Sequence, residues 1–215
     1  MVAVLTGDLV GSSKHPAEMI DAAMQAIRDT AFTIGGWHSP PQDTRFTRFR
    51  GDGWQIVLAD PAFALRAAVV IQARQIALDM ESRIFIGVGS ADNLGTGTLA
   101  DASGEAFARS GQGLDKMGEN WRLGIDGDTV RVEDQLVADL LGERMGRWTS
   151  AQAEAAAMQL ATPARITTLH EIGKALRISP QAVNDRVRGA GCATIASVLR
   201  RWEAQKVRDG WGNSK

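Results

Sequence analysis

Cysteine and histidine are scarce in this chain, which has one cysteine, Cys192, and three scattered histidines among 215 residues. A single cysteine excludes an intrachain disulfide and is typical of a reducing compartment, so we expect a cytoplasmic protein. The same scarcity argues against a structural zinc site, which takes about four such ligands. Cys192 has no evident base partner, so we do not expect a thiol nucleophile either.

Long hydrophobic runs are absent as well. No apolar run approaches the roughly 20 residues that a membrane-spanning helix needs, so we expect no membrane partner. The N-terminus has no basic segment and soon reaches Asp8, which predicts that it is not a signal peptide. Apolar residues nevertheless make up 44% of the chain, enough for a buried core in one large domain or two small ones.

Charge is divided unevenly along the chain. Residues 145–215 carry 11 Lys and Arg against 5 Asp and Glu, whereas residues 1–144 carry 13 against 20. We therefore predict an acidic domain at 1–144 and a basic domain at 148–208, and expect a polyanion to bind the basic one. The alternative is an ordinary scatter of surface charge.

Hydrophobic periodicity in the acidic half predicts the order β-α-β-β-α-β, that of a ferredoxin-like fold of the α+β class with helices over one face of an antiparallel sheet. Gly51-Asp52-Gly53 is a hairpin signal between the second and third strands, and Asp126-Gly127 is a turn signal after the last. The predicted strands are 2–5, 45–50, 54–58, 83–89 and 121–125, and the predicted helices are 16–31, 61–80, 103–117 and 133–144.

Two aspartates stand where this sheet would bring them together. Asp8 ends the first strand and Asp52 lies in the hairpin, and in this order of elements the first and third strands pair side by side. Two carboxylates beside a backbone carbonyl suit a Mg²⁺ or Mn²⁺ ion that carries a nucleoside triphosphate. Taken singly, either aspartate could instead serve only turn or capping chemistry.

Four short segments, at 8–13, 48–53, 84–89 and 101–107, resemble class III adenylate and guanylate cyclases. The first opens with an Asp and continues with backbone N–H groups that cradle phosphate in that family, and the second places a basic residue four positions before an Asp. The resemblance implies a cyclase-like, palm-type sheet with metal and nucleotide at one edge. The implied metal ligands are Asp8, Leu9 and Asp52, and the implied nucleotide contacts are Gly11, Ser12, Ser13, Arg48 and Asp101.

The sequence departs from that family at residues important for turnover. In the cyclase register, Ala108 stands where the family has a ribose-orienting Asn, and Gln112 where it has an Arg that stabilises the transition state. Loss of that Arg removes a major electrostatic contribution. Ser12 also replaces the usual Phe, and Arg109 is one residue out of register. We therefore assign no catalytic residue and expect weak cyclase turnover or none.

Nearly the whole chain resembles the SatD-like proteins of bacteria. The shared features are the opening Asp motif, a Gly-Asp hairpin, a Gly-x-Ala-Phe helix start at 104–107 and a C-terminal helix-turn-helix. This resemblance implies one arrangement for the entire chain, a cyclase-like domain followed by a helix-turn-helix domain.

Residues 168–188 carry the helix-turn-helix pattern itself. Gly173 is the small residue that lets a second helix approach, and Ser179 with Pro180 forms an N-cap followed by a first-turn proline. Val183 and Val187 are predicted to be buried. Flanking helices are predicted at about 150–160 and 194–206.

The outer face of the second helix carries Gln181, Asn184 and Arg188 at helical spacing. Gln and Asn can pair with adenine, and Arg with guanine, in the major groove of duplex DNA. A single motif of this size gives limited affinity, so we expect a homodimer. The alternatives are a helical bundle with a solvated basic face and a protein-docking module. Predicted phosphate contacts come from the last helix: Arg200, Arg201, Lys206 and Arg208.

Three hypotheses for function follow. The first is a regulator that binds a nucleotide and a divalent metal through a degenerate cyclase-like domain and acts on DNA. The second is an active nucleotidyl cyclase or related nucleotidyltransferase controlled by its C-terminal domain. The third is a partner-binding protein in which both motifs are vestigial. Ala108 and Gln112 favour the first over the second, and the retained Asp8 and Asp52 count against the third.

Overall fold

The computed structural model describes residues 1–211 and has a mixed α+β architecture, in which a five-stranded mixed sheet packs with eight α-helices. The strands are β1 (Val2–Leu9), β2 (Thr47–Phe49), β3 (Gly53–Leu58), β4 (Ser82–Gly89) and β5 (Leu123–Gly127). The helices are α1 (Ala17–Gly35), α2 (Ala64–Ile76), α3 (Glu105–Lys116), α4 (Val132–Met145), α5 (Ser150–Gln159), α6 (Leu169–Leu176), α7 (Pro180–Ala190) and α8 (Cys192–Arg208).

The strands lie in the order β2-β3-β1-β4-β5. All neighbours pair antiparallel except β4 and β5, which are parallel, so the expectation of a purely antiparallel sheet was wrong. The predicted turn at Asp126-Gly127 was wrong for the same reason. These two residues continue β5 and pair with Gly87 and Val88, so the pairing partner overrides a local turn signal.

Helices cover both faces of the sheet, not one face as predicted. Leu5 and its alternate neighbours pack in the core beneath α1 and α2, whereas Val4 and Val57 pack on the opposite face against Ala106 and Phe107 of α3. A strand covered on both sides reads as a continuous apolar run. The run at the start of β1 therefore already indicated a second layer.

Helix α2 is buried around nearly its whole circumference, including Gln72 and Gln75. It ends at Ile76 and not near 80, because Asp79 adopts a left-handed φ of 56° and the Met80 N–H turns back to the Gln75 carbonyl. Helices α1 and α5 pack on it, so α2 is a central element of the structure and not a surface helix.

One hydrophobic core runs from the sheet into helices α5 to α8. Two buried ion pairs accompany it: the Arg66 guanidinium of α2 donates to Glu203 of α8 over 2.6 and 3.0 Å, and Lys206 of α8 donates to Asp134 of α4. The proposed division at residues 144–148 stays a prediction. None of the helices within residues 1–211 combines the length and apolarity that a bilayer crossing requires.

Candidate functional site

The end of β1 and the β2–β3 turn form the first candidate site, which we call the hairpin edge (Asp8, Leu9, Ser12, Asp52 and Arg83). Asp8 pairs with Gly53 in the ladder, and the Leu9 N–H donates to the Asp52 carbonyl over 3.2 Å. The prediction that the first and third strands pair is therefore confirmed, and the backbone brings both aspartates to one end of the sheet.

The two carboxylates have separate partners at this edge. Asp8 accepts two hydrogen bonds from the guanidinium of Arg83, which lies directly opposite it on β4: one from Nε at 3.0 Å and a shorter one from Nη2. Asp52 accepts from the Ser12 hydroxyl at 2.5 Å. The hydrogen bonds to Asp8 raise the pKa of Arg83 above its already high ordinary value, so the guanidinium remains charged.

This donor set does not fit a Mg²⁺ or Mn²⁺ ion as it is arranged. Such an ion prefers about six oxygen ligands, but both oxygens of Asp8 hold Arg83, and Leu9 pairs with Ser82 in the ladder. Within residues 1–211, no three His, Cys, Asp or Glu side chains cluster in a way that could hold a metal. The metal site stays a prediction, and it requires Arg83 to move.

Beside the hairpin edge lies a cavity of about 280 Å³, the hairpin cavity, which brings together several of the predicted nucleotide contacts. Its lining includes Ser12, Ser13, Arg48, Arg50 and Asp52. Gly11 begins the short turn through a left-handed φ of 65°. Arg50 was missed from the sequence, although it directly precedes the Gly51-Asp52 turn.

Arg48 and Arg50 differ in how far they are committed to other contacts. Arg48 donates to the Asp21 carboxylate over 2.7 Å and to the Gly51 carbonyl over 2.6 Å. Arg50 is exposed and makes no ion pair within residues 1–211, so it is the freer of the two for an incoming anion.

Asp101, the predicted base contact, does not line the hairpin cavity. It closes the loop before α3, where its carboxylate accepts from the Thr96 N–H at 3.3 Å and the Thr96 hydroxyl at 3.1 Å. The hydrogen bond from the Thr96 backbone is the largest cause of a lowered pKa for Asp101. The structure therefore gives Asp101 a role in the loop, and its contact with a base stays a prediction.

Ala108 and Gln112, the two departures from the cyclase pattern, line a larger cavity of about 700 Å³ between α3, β5 and α4, which we call the α3–α4 cavity. Arg109 lies beside them. Its guanidinium is held by Glu105 at 2.6 Å, by Asp126 at 3.1 Å and by Asp128. Arg109 is thus committed to three carboxylates.

The second candidate site is the pair formed by α6 and α7. Thr168 caps α6 in a reciprocal capping box with Glu171, and the Ser179 hydroxyl accepts from the Ala182 N–H at 3.1 Å to cap α7 as predicted. Hydrogen bonds from Arg165 and Thr168 lower the pKa of Glu171 to about 2. A Cβ on Gly173 would lie 2.8 Å from the Ile178 carbonyl, so the predicted need for a small residue there is confirmed.

The side chains predicted to lie on the outer face of α7 are exposed to solvent at least in part. Gln181 and Arg188 are exposed and Asn184 is partly exposed, whereas Val183 and Val187 are buried on the opposite side. Arg188 makes no ion pair within the part of the chain that the structure describes. This face is therefore free to meet a ligand.

The predicted phosphate contacts divide into two groups. Arg200, Arg201 and Arg208 are exposed and make no ion pair within residues 1–211. Lys206 is only 2% exposed and is held by Asp134, so its assignment to DNA phosphate was wrong. Cys192 is also buried, which raises the pKa of its thiol to about 12 and agrees with the expectation that it is not a nucleophile.

No protein-family model matches this chain, and no curated protein matches it significantly. The resemblance to cyclases and to SatD-like proteins therefore depends on the short motifs alone.

Proposed function

We propose that this chain is a DNA-binding regulatory protein, in which α6 and α7 act as a helix-turn-helix and the sheet domain binds a phosphate-bearing ligand such as a nucleoside triphosphate. The observation that carries the proposal is the outward face of α7, where Gln181, Asn184 and Arg188 stand over a buried valine pair. Amide and guanidinium side chains on one exposed helix face are the groups that read base edges.

The surroundings of α7 support a polyanion as its partner. Lys174 and Arg177 on the α6 side, and Arg200 and Arg201 on α8, are exposed and make no ion pair within residues 1–211. Unpaired cations around a polar helix face supply the phosphate contacts that position a recognition helix. Asp185 is also exposed on α7 and would repel phosphate, which favours its pointing toward base edges.

The sheet supports the second part of the proposal. The strand order β2-β3-β1-β4, to which β5 is added in parallel, supports our proposal of a ferredoxin-like, cyclase-like domain. The hairpin cavity supplies two hydroxyls and two guanidinium groups, which are suitable donors to phosphate oxygens. We propose that these guanidinium groups, and not a metal ion, neutralise the bound phosphate.

The alternative of an active cyclase is less well supported. Gln112 cannot supply the positive charge that the developing phosphoryl charge needs, and Arg109 is bound to three carboxylates. Because a single small motif gives limited affinity for DNA, we propose that the regulator acts as a homodimer on paired half-sites.

The test of the DNA proposal is an anisotropy titration against genomic fragments at several salt concentrations. We expect affinity to fall steeply as salt rises, because neutralised phosphates release counterions. Gln181→Ala and Arg188→Ala should each cost about 1–3 kcal/mol of discrimination between bases, whereas Arg200→Ala should weaken all sequences alike. Arg28→Ala, which removes an exposed positive charge from α1, is the matched control. Absence of DNA binding at low salt would overturn the proposal.

The phosphate site is tested separately by calorimetry with ATP and GTP, with and without Mg²⁺. We expect binding that does not require the metal and that weakens in Arg50→Ala and Ser12→Ala variants. Product analysis of the same incubations should find little cyclic nucleotide, and robust turnover would favour the active-enzyme alternative.

A further inference from the structure

The α3–α4 cavity is larger than the hairpin cavity, and its lining combines aromatic and apolar residues with polar ones. Phe85 of β4 contributes its partly exposed ring, Leu123 and Ile125 of β5 form the adjoining wall, and Trp121 stands at the rim with 51% of its surface exposed. Its volume of about 700 Å³ lies within the range of small-molecule sites. The cavity is therefore large enough to take a ring system of one or two fused rings.

Two glycines keep this space open around Phe85. A Cβ on Gly113 would come within 2.4 Å of three carbons of the Phe85 ring, and a Cβ on Gly124 within 2.7 Å of two others. The ring therefore packs directly against the backbone of α3 and β5. Any larger side chain at either position would force the Phe85 ring to move.

Seven polar side chains line the cavity: five are charged, and the two uncharged ones, the amides of Gln112 and Gln135, are exposed. The side-chain amides of Gln112 and Gln135 make no hydrogen bond within residues 1–211, and neither does the Asp139 carboxyl. Burial raises the pKa of Asp139 above its ordinary value. Amides that offer both a donor and an acceptor are the groups that pair with the edge of a heteroaromatic ring.

The charge of the lining selects against an anionic ligand. Its carboxylates are Glu105, Asp126 and Asp139, and its cations are Arg109 and Lys116. Arg109 is already held by Glu105, Asp126 and the nearby Asp128, so it has little charge to offer a phosphate. An uncharged ligand avoids this repulsion.

We propose that the α3–α4 cavity binds an uncharged, flat heteroaromatic molecule of the nucleobase or nucleoside class. The ring stacks on Trp121 and contacts Phe85, and its polar edge pairs with the amides of Gln112 and Gln135. This site is separate from the hairpin cavity and does not depend on the function proposed above.

The test uses the full chain with adenosine, guanosine, cytidine and uridine as probes, followed by calorimetry and saturation-transfer NMR. We expect saturable binding of at least one nucleoside, and weaker binding of its 5′-monophosphate. Trp121→Ala should weaken binding about tenfold or more through loss of stacking. Gln135→Leu should also weaken it through loss of the edge contact, and Phe32→Ala, which removes an 84% exposed aromatic from α1, should leave it unchanged.

Competition with inorganic tripolyphosphate separates this site from the hairpin cavity. Nucleoside binding should persist at saturating tripolyphosphate, and displacement would mean a single shared site and would overturn the inference. Failure of all four nucleosides to bind would overturn it as well, as would undiminished binding in both the Trp121→Ala and Gln135→Leu variants. Each of these results leaves the DNA titration unaffected.

Discussion

At the residue scale, Arg83 controls what Asp8 can bind. The two side chains face each other across β1 and β4 with 25% and 26% of their surfaces exposed, so the ion pair is only partly hydrated. The Nη1 group of Arg83 also donates to the Met117 carbonyl over 3.1 Å, which fixes the guanidinium in place. The Arg83 guanidinium thus binds both oxygens of the Asp8 carboxylate, which a divalent ion would need as ligands.

The Arg83→Gln substitution should free Asp8 and raise the affinity of the hairpin edge for Mg²⁺ or Mn²⁺. We expect the variant to lose about 1–3 kcal/mol of stability because Asp8 keeps a partly buried charge without its partner. Millimolar Mg²⁺ should restore part of that loss by binding the folded state. Chemical denaturation with and without the metal measures both effects.

The control for this experiment is Arg122→Gln, because Arg122 pairs with Glu81 at the same end of the sheet but does not contact Asp8. This variant should lose stability without gaining a response to Mg²⁺. If both variants respond equally, or neither responds, Arg83 is not what keeps the metal out.

Glu171, in the first turn of α6, should make the stability of the protein depend on pH. Its pKa is lowered from an ordinary 4.5 to about 2 by Arg165 first and Thr168 next, so the folded state favours the charged form. A lowered pKa contributes stability that is present above pH 4.5 and is lost as the pH falls through about 2. Glu171→Gln keeps the capping hydrogen bond but removes the charge.

We therefore expect native protein to exceed the Glu171→Gln variant in stability at neutral pH, with the difference shrinking below pH 4.5 and vanishing near pH 2. Urea unfolding at a series of pH values is the measurement. A difference that stays constant across this range would mean that the Glu171 charge does not stabilise the capping box.

At the scale of elements, the sequence predicted features that depend on residues close together in the chain, such as helix caps. The predicted N-cap at Ser179 comes from a short side chain that bonds the backbone three residues away, and such spacing can be recognised in the sequence. The parallel pairing of β5 could not be predicted in this way, because Asp126-Gly127 resembles a turn until its partner on β4 is known. The Asp8–Arg83 pair was missed because register depends on the whole sheet.

The close packing of α6 against the following turn should make Gly173 intolerant of any side chain. Gly173→Ala would place a Cβ 2.8 Å from the Ile178 carbonyl, which is backbone and cannot move aside cheaply, so we expect a loss of about 1–3 kcal/mol. Gly111→Ala in α3 is the matched control, since its Cβ would meet nothing within 4 Å. It should instead stabilise the chain by up to about 1 kcal/mol through helix propensity.

Thermal or urea unfolding of both glycine variants gives the comparison, and DNA titration of Gly173→Ala adds a second measurement. Because the same substitution changes helix propensity in both helices, the difference between the variants isolates the contact with Ile178. Equal stabilisation of the chain by both substitutions would show that Gly173 does not lie against the Ile178 carbonyl.

At the scale of the whole molecule, α8 links the proposed DNA-binding half to the sheet domain through charges buried in the core. Arg66 and Glu203 join α8 to α2, and burial raises the pKa of Glu203 although Arg66 opposes the shift. No sequence pattern pairs residues 137 positions apart, so this connection could not be predicted. The same helix carries Arg200 on its exposed side, and a displaced α8 would move that phosphate contact.

The Lys206→Met substitution should measure how much the Lys206–Asp134 ion pair between α8 and α4 contributes to stability. The Lys206 ammonium contacts Asp134 and lies 4.5 Å from the centroid of the Trp211 ring, and both partners are buried. Without the ammonium, the Asp134 carboxylate keeps only two hydrogen bonds, from the Trp202 indole N–H at 2.9 Å and from the Arg131 backbone N–H that it caps. Because its buried charge then has no counterion, we expect the free energy of unfolding to fall by about 3–5 kcal/mol. Methionine keeps the volume and the aromatic contacts, so the loss measures charge and not packing.

The double variant Lys206→Met with Asp134→Asn should recover part of that stability. The single carbonyl oxygen of asparagine can accept from either the Trp202 indole or the Arg131 N–H, but not from both, and the side chain carries no charge that needs a partner. The exposed Lys14→Met is the control and should change stability by less than about 0.5 kcal/mol. Urea unfolding of the four chains completes the cycle. If the double variant is as unstable as the sum of its single substitutions, the pair is not coupled, and α8 is held to the sheet domain by its apolar contacts instead.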